Sequence, residues 1–299
     1  MRRNVSPRLS GAITPIVTPF RRGAVDIAGF ERLVEWQIAS GIGGLAVCTV
    51  TGEGPALCDA ERDLVLSTVL RVADDRVPVL AATGTNGTAS TIALTKRAKA
   101  LGASAALVTV PYYSKPGQKG ILWHFEQVAS ASTLPLIISS DPGRTASPLL
   151  PSTLDALSQT GTIFGLLDAA GDIGTLAPYR DRLHLFTGNA ATAPAFIACG
   201  GDGIIAPAAN VLPKLVTSLQ HASACGNLPA ALILADRLAP LAEAIGDGDP
   251  ASIKFALSAF PGIPADVRLP LVPAEQTVQE AICAALQGCA PSARQALSL

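Results

Sequence analysis

Short polar stretches rich in hydroxyls and glycine carry the side chains of this sequence that could do chemistry. Residues 49–53 read Thr-Val-Thr-Gly-Glu, residues 111–113 read Pro-Tyr-Tyr, and Ser139 is followed by Asp141 and Arg144. Hydroxyls, backbone N–H groups and an arginine can together hold a small anion such as a carboxylate. Each stretch directly follows an apolar run, so the elements formed by those runs decide whether the stretches meet in space.

Eight short apolar runs recur along the chain, with starts 19 to 35 residues apart. Most are continuously hydrophobic, which is typical of parallel strands covered on both faces. The runs are Gly11–Thr18, Gly43–Thr49, Pro78–Thr83, Ser104–Val110, Leu134–Ser140, Thr162–Leu167, His184–Thr187 and Gly203–Ala206. Helix-length amphipathic segments such as Asp26–Ser40 lie between them. Eight strand-and-helix units predict an α/β protein, a (β/α)8 TIM barrel with a C-terminal helical appendage.

The chain beyond the last run is rich in Ala and Leu and is broken by prolines such as Pro229 and Pro250. We interpret residues 1–211 as the barrel and residues 212–299 as a C-terminal helical region packed on it. The two parts are expected to form a single structural unit.

The carboxyl ends of parallel barrel strands meet at one mouth, where the chemistry of such barrels takes place. Hydroxyls and backbone N–H groups at these strand ends, which include Thr51, Gly188 and Ile205, are therefore predicted to hold a small carboxylate, with Arg144 as a second clamp. The alternative is that Thr and Gly merely end the strands and that Arg144 pairs with a neighbouring acid.

Several motifs, in this order, resemble the dihydrodipicolinate synthase and N-acetylneuraminate lyase family of class I aldolase-type barrels. The resemblance covers almost the whole chain and implies a lyase or synthase that acts on 2-oxo acids, assembled as a homodimer or homotetramer. The motifs are Gly11-x-x-Thr14-x-x-x-Thr18-Pro19-Phe20, Thr51-Gly52-Glu53, Gly84-Thr85-Asn86, Pro111-Tyr112-Tyr113-Ser114-Lys115-Pro116, Pro142-Gly143-Arg144-Thr145 and Arg268-Leu269-Pro270-Leu271.

The resemblance also implies which catalytic residues have changed. The family's lysine, which forms an imine with the 2-oxo acid, falls at Leu167. Its proton-shuttling tyrosine falls at Ser139, and the hydroxyl residue that relays protons to that tyrosine falls at Val50. Tyr113 is retained, and in the family this tyrosine reaches into the site of the neighbouring subunit. Leucine has no amine, so the usual Schiff-base chemistry is expected to be lost.

Two functions remain open, and a third is less favoured. The protein is either a lyase or synthase that avoids the usual lysine, with Ser139, Tyr113 and Asp168 as candidates for proton transfer, or a non-catalytic paralogue that binds or senses a small carboxylate. Metal-dependent chemistry would have to rely on Glu53, Asp141 and Asp168 without a histidine.

A relocated lysine is another route to the imine. Positions along the sequence predict that only Lys115 and Lys119, after the fourth strand, approach the mouth. Lys96 and Lys99 fall on an outer helix, and Lys214 and Lys254 fall in the C-terminal region.

Composition excludes several other classes of protein. Charged residues make up 15% of the chain and hydrophobic residues 49%, with a net charge of -1, which argues against disorder and against nucleic-acid binding. The six cysteines form no CxxC pair, the three histidines stand far apart, and no apolar run reaches about 18 residues. Residues 41–46 fit G-x-G-x-x-A, but they follow a helix and open a strand, the reverse of a dinucleotide site. We therefore expect a cytoplasmic protein with no membrane, metal or cofactor.

Overall fold

A computed structural model describes residues 9–175, 177–259 and 262–289. Eight parallel strands pair in the order of the chain, and the eighth pairs with the first, so the sheet closes into a barrel. The strands are β1 (Gly11–Pro15), β2 (Gly44–Val47), β3 (Val79–Ala82), β4 (Ala105–Thr109), β5 (Leu136–Ser140), β6 (Ile163–Asp168), β7 (His184–Thr187) and β8 (Gly203–Ile205). The predicted TIM barrel is confirmed.

Helices surround the barrel and form the C-terminal region. They are α1 (Ile27–Ala39), α2 (Asp59–Ala73), α3 (Thr88–Leu101), α4 (Gln118–Ala131), α5 (Pro142–Thr145), α6 (Pro151–Ser158), α7 (Ala193–Ala198), α8 (Pro213–Ala224), α9 (Leu228–Ala244), α10 (Pro250–Leu257) and α11 (Gln276–Gly288). A short hairpin of Phe20–Arg21 and Ala24–Val25 follows β1.

Local sequence signals set the ends of these helices. The carboxylate of Asp26 accepts the backbone N–H of Gly29 at 3.1 Å and caps the start of α1. Gly102 ends α3 with a φ of 104°, a left-handed conformation that favours glycine.

The sixth unit departs from the regular pattern of one helix after each strand. Between β6 and β7, the part of the chain that the structure describes holds a 3-10 turn, Ile173–Thr175. The segment contains Gly171, Gly174 and Pro178, which disfavour a long helix.

Two apolar clusters explain why the strands are continuously hydrophobic. One fills the barrel interior, and the other lies between the sheet and the surrounding helices. The interior cluster consists of Leu9, Ile13, Ala46, Leu80, Ala105, Leu107, Ile137, Leu167, Phe186 and Ile205. Because both faces of each strand are buried, apolar residues are favoured on both.

The C-terminal helices pack on the barrel and on one another. α8 contacts β1 and α9, and α9 contacts α11. Lys254 on α10 and Arg268 beyond it contact the loop after β2. The division of the chain at residue 211 stays a prediction.

Candidate ligand-binding site

The turn after β2 presents Thr51 at the barrel mouth. Glu53 adopts a left-handed φ of 53°, and its N–H donates to the Val50 carbonyl at 3.0 Å. A Cβ atom at Gly54 would lie 1.9 Å from the Cys48 carbonyl oxygen, so the tight turn requires glycine there. Thr51 is buried, whereas Val50 is 41% exposed.

A buried ion pair fastens this turn to α10. Lys254 is fully buried, and its Nζ lies 2.5 Å from Glu53 Oε1, 2.8 Å from the Asp266 carbonyl oxygen and 4.1 Å from the centroid of the Phe20 ring. The Arg268 N–H donates to Glu53 Oε2 at 2.9 Å. Burial lowers the pKa of Lys254, and the Glu53 carboxylate opposes that shift.

Lys254 therefore lies against the turn after β2, whereas its place in the sequence assigned it only to the C-terminal region. The C-terminal region folds back over the turn after β2, which its distance along the sequence did not reveal. One signal was present, because Lys254 is the only charged residue in the apolar stretch 250–257, and a lysine among buried residues needs a partner.

Arg144 pairs with an acid beside it, as the alternative interpretation predicted. Its Nε lies 3.3 Å from Asp141 Oδ2, and one Nη donates to the Asp247 carbonyl. Asp141 also caps the short helix α5 by accepting the Arg144 N–H at 3.2 Å. A guanidinium has five N–H donors, so an arginine in such a pair can still bind an anion.

A loop between α9 and α10 brings the two candidate anion-binding residues together. A Cβ atom at Gly248 would lie 3.1 Å from Thr51 Oγ1, and the neighbouring Asp247 carbonyl accepts from Arg144. Gly246 and Gly248 have φ values of 55° and 83°. Sequence reasoning missed this loop, although its Gly-Asp-Gly-Asp-Pro sequence is typical of a turn.

The ends of β4, β5 and β6 form a row across the barrel. Thr109 pairs in register with Ser139, and Ser139 pairs with Leu167. Leu167 is 8% exposed and packs in the interior cluster with Ile205. Ser139 is half-buried. This row presents hydroxyls and methyl groups, and no amine.

Asp168 holds its own loop together. Its carboxylate accepts the N–H of Ala170 at 3.0 Å and that of Asp172 at 2.9 Å, and burial raises its pKa. Its backbone carbonyl accepts the Gly188 N–H at 3.0 Å. A Cβ atom at Gly188 would lie 3.1 Å from Ala169 Cα, so glycine permits the close approach of the two loops.

Tyr113 stands at the rim with its side chain in solvent. It is 89% exposed and has a φ of 67°, which is unusual for a bulky residue. Lys115, just beyond it, is also exposed and left-handed, with a φ of 47°. Lys119 Nζ lies 4.6 Å from the centroid of the Trp123 ring on α4.

The residues that the structure describes lack two features. Among them, no group of three or more His, Cys, Asp or Glu side chains could hold a metal ion. In the same ranges, no helix combines the length and the apolar character needed to cross a membrane.

Comparisons with known proteins agree with this architecture. The model of the dihydrodipicolinate synthetase family matches residues 8–288. A 4-hydroxy-tetrahydrodipicolinate synthase from Rhizorhabdus wittichii is 40% identical over 283 residues, covering 93% of this chain and 97% of that protein. Another from Rhodospirillum centenum is 39% identical over 283 residues, covering 92% and 97%. The structure of the chloride-inhibited dihydrodipicolinate synthase from Acinetobacter baumannii complexed with pyruvate is 34% identical, with a TM-score of 0.91, covering 94% of this chain and 99% of that one.

Proposed function

The chain belongs to the dihydrodipicolinate synthetase family, and from that premise we propose that its barrel mouth binds a small carboxylate without forming an imine. One observation carries this proposal. Leu167 is the penultimate residue of β6, and its side chain lies in the apolar interior cluster, at the position that the family resemblance assigns to the lysine. A hydrocarbon side chain cannot attack a carbonyl.

Contacts around Thr51 and Arg144 support the carboxylate half of the proposal. Thr51 Oγ1 lies beside Gly248, and the Asp247 carbonyl accepts from Arg144, so a ligand anion at the mouth would meet a hydroxyl and a guanidinium next to the same loop. The Acinetobacter baumannii relative binds pyruvate, a 2-oxo acid, so an acid of that kind is the first ligand to test.

The buried amine of Lys254 does not replace the missing nucleophile. Lys254 has no exposed surface, and its Nζ is held by Glu53 and by the Asp266 carbonyl. An amine in that position is closed to a substrate carbonyl. To act as a nucleophile, an amine must come close to the carbonyl carbon of the substrate, and the buried Nζ of Lys254 does not.

Two forms of this function remain within the proposal. As a lyase or synthase, the protein would move protons through Asp168, Ser139 or Tyr113, and the raised pKa of Asp168 favours that form. As a non-catalytic paralogue, it would bind or sense the carboxylate, and the packing of Leu167 in an apolar cluster favours that form. Assembly as a homodimer or homotetramer and a cytoplasmic location are part of the proposal, with Tyr113 at the subunit contact.

Calorimetric titration with pyruvate tests carboxylate binding. We expect binding to the unaltered protein, and a loss of at least about tenfold in affinity in Thr51→Val and in Arg144→Ala, because each removes a donor to the carboxylate. Arg97→Ala is the matched control, since Arg97 pairs with Asp59 and Asp63 on the outer helices. The proposal is wrong if neither pyruvate nor a simple aliphatic carboxylate binds, or if the control loses as much affinity as Arg144→Ala.

A further inference from the structure

The floor of the barrel mouth is apolar. Leu107 on β4, Leu167 on β6 and Ile205 on β8 belong to one interior cluster. Because they come from three separate strands around the barrel, they face one another across its axis. Their side chains present methyl groups to whatever enters from the mouth.

Residues with short side chains border this floor. Thr109 and Ser139, beside Leu167 in the paired row, have short side chains and are half-buried. Leu107 and Leu167 keep 7% and 8% of their surface exposed, whereas Phe186, in the same cluster, keeps 0%. Of the three floor residues, the two leucines thus keep the most exposed surface, and Ile205 keeps 3%.

We propose that the site takes aliphatic monocarboxylic acids, with the carboxylate at Thr51 and Arg144 and the alkyl chain on Leu107, Leu167 and Ile205. This inference rests on the proposed function, because it needs the carboxylate to be bound at the mouth. The physical reason for the preference is that an alkyl chain and this floor are both apolar. Each CH2 moved from water onto that floor corresponds to about a fourfold gain in affinity. A ligand oxygen facing the leucines would lose its water partners without a replacement.

A homologous series of acids tests this directly. Acetate, propionate and butyrate are titrated into the unaltered protein, and we expect the affinity to rise about fourfold with each added CH2. Isobutyrate and pyruvate form a second pair, since their non-hydrogen atoms are connected in the same way and a methyl group in one replaces the 2-oxo oxygen of the other. Isobutyrate is expected to bind more tightly than pyruvate.

Two variants at one position assign the effect to the floor. Leu167→Asn keeps the branching and the number of non-hydrogen side-chain atoms but places a polar amide on the floor, so the gain per CH2 should fall to about twofold or less. Leu167→Met keeps an apolar floor and should keep the fourfold gain. If Leu167→Asn does not fold, the titrations of acetate, propionate and butyrate into the unaltered protein still show whether the site prefers aliphatic acids.

The outcomes separate this inference from the proposed function. Acetate, butyrate and pyruvate binding with equal affinity would overturn the aliphatic preference and leave the carboxylate site in place. Pyruvate binding more tightly than isobutyrate would also overturn it. If none of these acids binds, the proposed carboxylate site is itself wrong, and this inference is wrong with it.

Discussion

Leu167 presents a hydrocarbon side chain, and no amine, near the end of β6. We expect that incubation with pyruvate and borohydride leaves the mass of the protein unchanged, because no amine stands at the end of β6 and Lys254 is sealed. Leu167→Lys should gain a pyruvate-derived adduct slowly. Mass spectrometry of the intact protein and of its peptides measures both. An adduct on Lys115 or Lys119 in the unaltered protein would show that a relocated lysine forms the imine.

His124 is a second residue whose surroundings set a measurable property. It is buried on α4, its Nδ1 lies 3.0 Å from Thr88 Oγ1, and burial lowers its pKa to about 4. In the unfolded chain the same ring has a pKa of about 6.5, so the unfolded state takes up a proton first as the pH falls. The neutral ring therefore makes its full contribution to the free energy of unfolding above pH 6.5, and this contribution is lost as the pH falls toward 4.

The corresponding prediction is a change in the pH dependence of unfolding. His124→Phe removes the titrating ring, so the free energy of unfolding should fall less between pH 7.5 and 4.5, by on the order of 2 kcal/mol. Urea denaturation at the two pH values measures it. Equal slopes in the parent and in His124→Phe would contradict the assignment.

At the scale of the elements, the sequence revealed the barrel strands better than the contacts of the C-terminal helices. Each strand is buried on both faces, so its apolar run shows in the residues themselves. The contact of Lys254 with Glu53 joins positions 201 residues apart, and no local pattern encodes such a pairing. Thr51 and Arg144 were predictable as candidates, but the loop 246–249 that touches both was not, because its glycines indicate only a turn.

The pairing of α10 with the turn after β2 gives the element-scale prediction. Lys254→Met leaves the Glu53 carboxylate buried without its cation, and we expect a loss of about 3 to 5 kcal/mol in the free energy of unfolding. The double variant Glu53→Gln with Lys254→Met buries no charge and should recover most of that loss. Urea denaturation of the single and double variants measures the coupling. Additive losses would mean that the two side chains do not act as a pair.

At the scale of the whole molecule, the C-terminal region closes onto the barrel around one turn. Arg268 donates through its side chain to Glu61 at the start of α2 and to the Gly23 carbonyl of the hairpin. The guanidinium lowers the pKa of the Glu61 carboxyl to about 2. Residues distant in sequence thus hold the elements around Thr51 in place. The structure of the mouth therefore depends on the C-terminal region as well as on the barrel.

The rim of that mouth leads to the last prediction, which concerns assembly. Tyr113 is 89% exposed in a strained backbone conformation, and Leu269, next to Arg268, is 82% exposed. Large apolar side chains at one end of a protein are typical of a surface that another subunit covers, and tyrosine is enriched in such interfaces.

We expect a dimer or tetramer by light scattering at micromolar concentration. Tyr113→Ala should weaken association at least about tenfold. Trp123→Ala, which truncates the exposed aromatic side chain of α4, should leave association unchanged. A species of 30.5 kDa for the unaltered protein would show that Tyr113 points into solvent rather than into a neighbour.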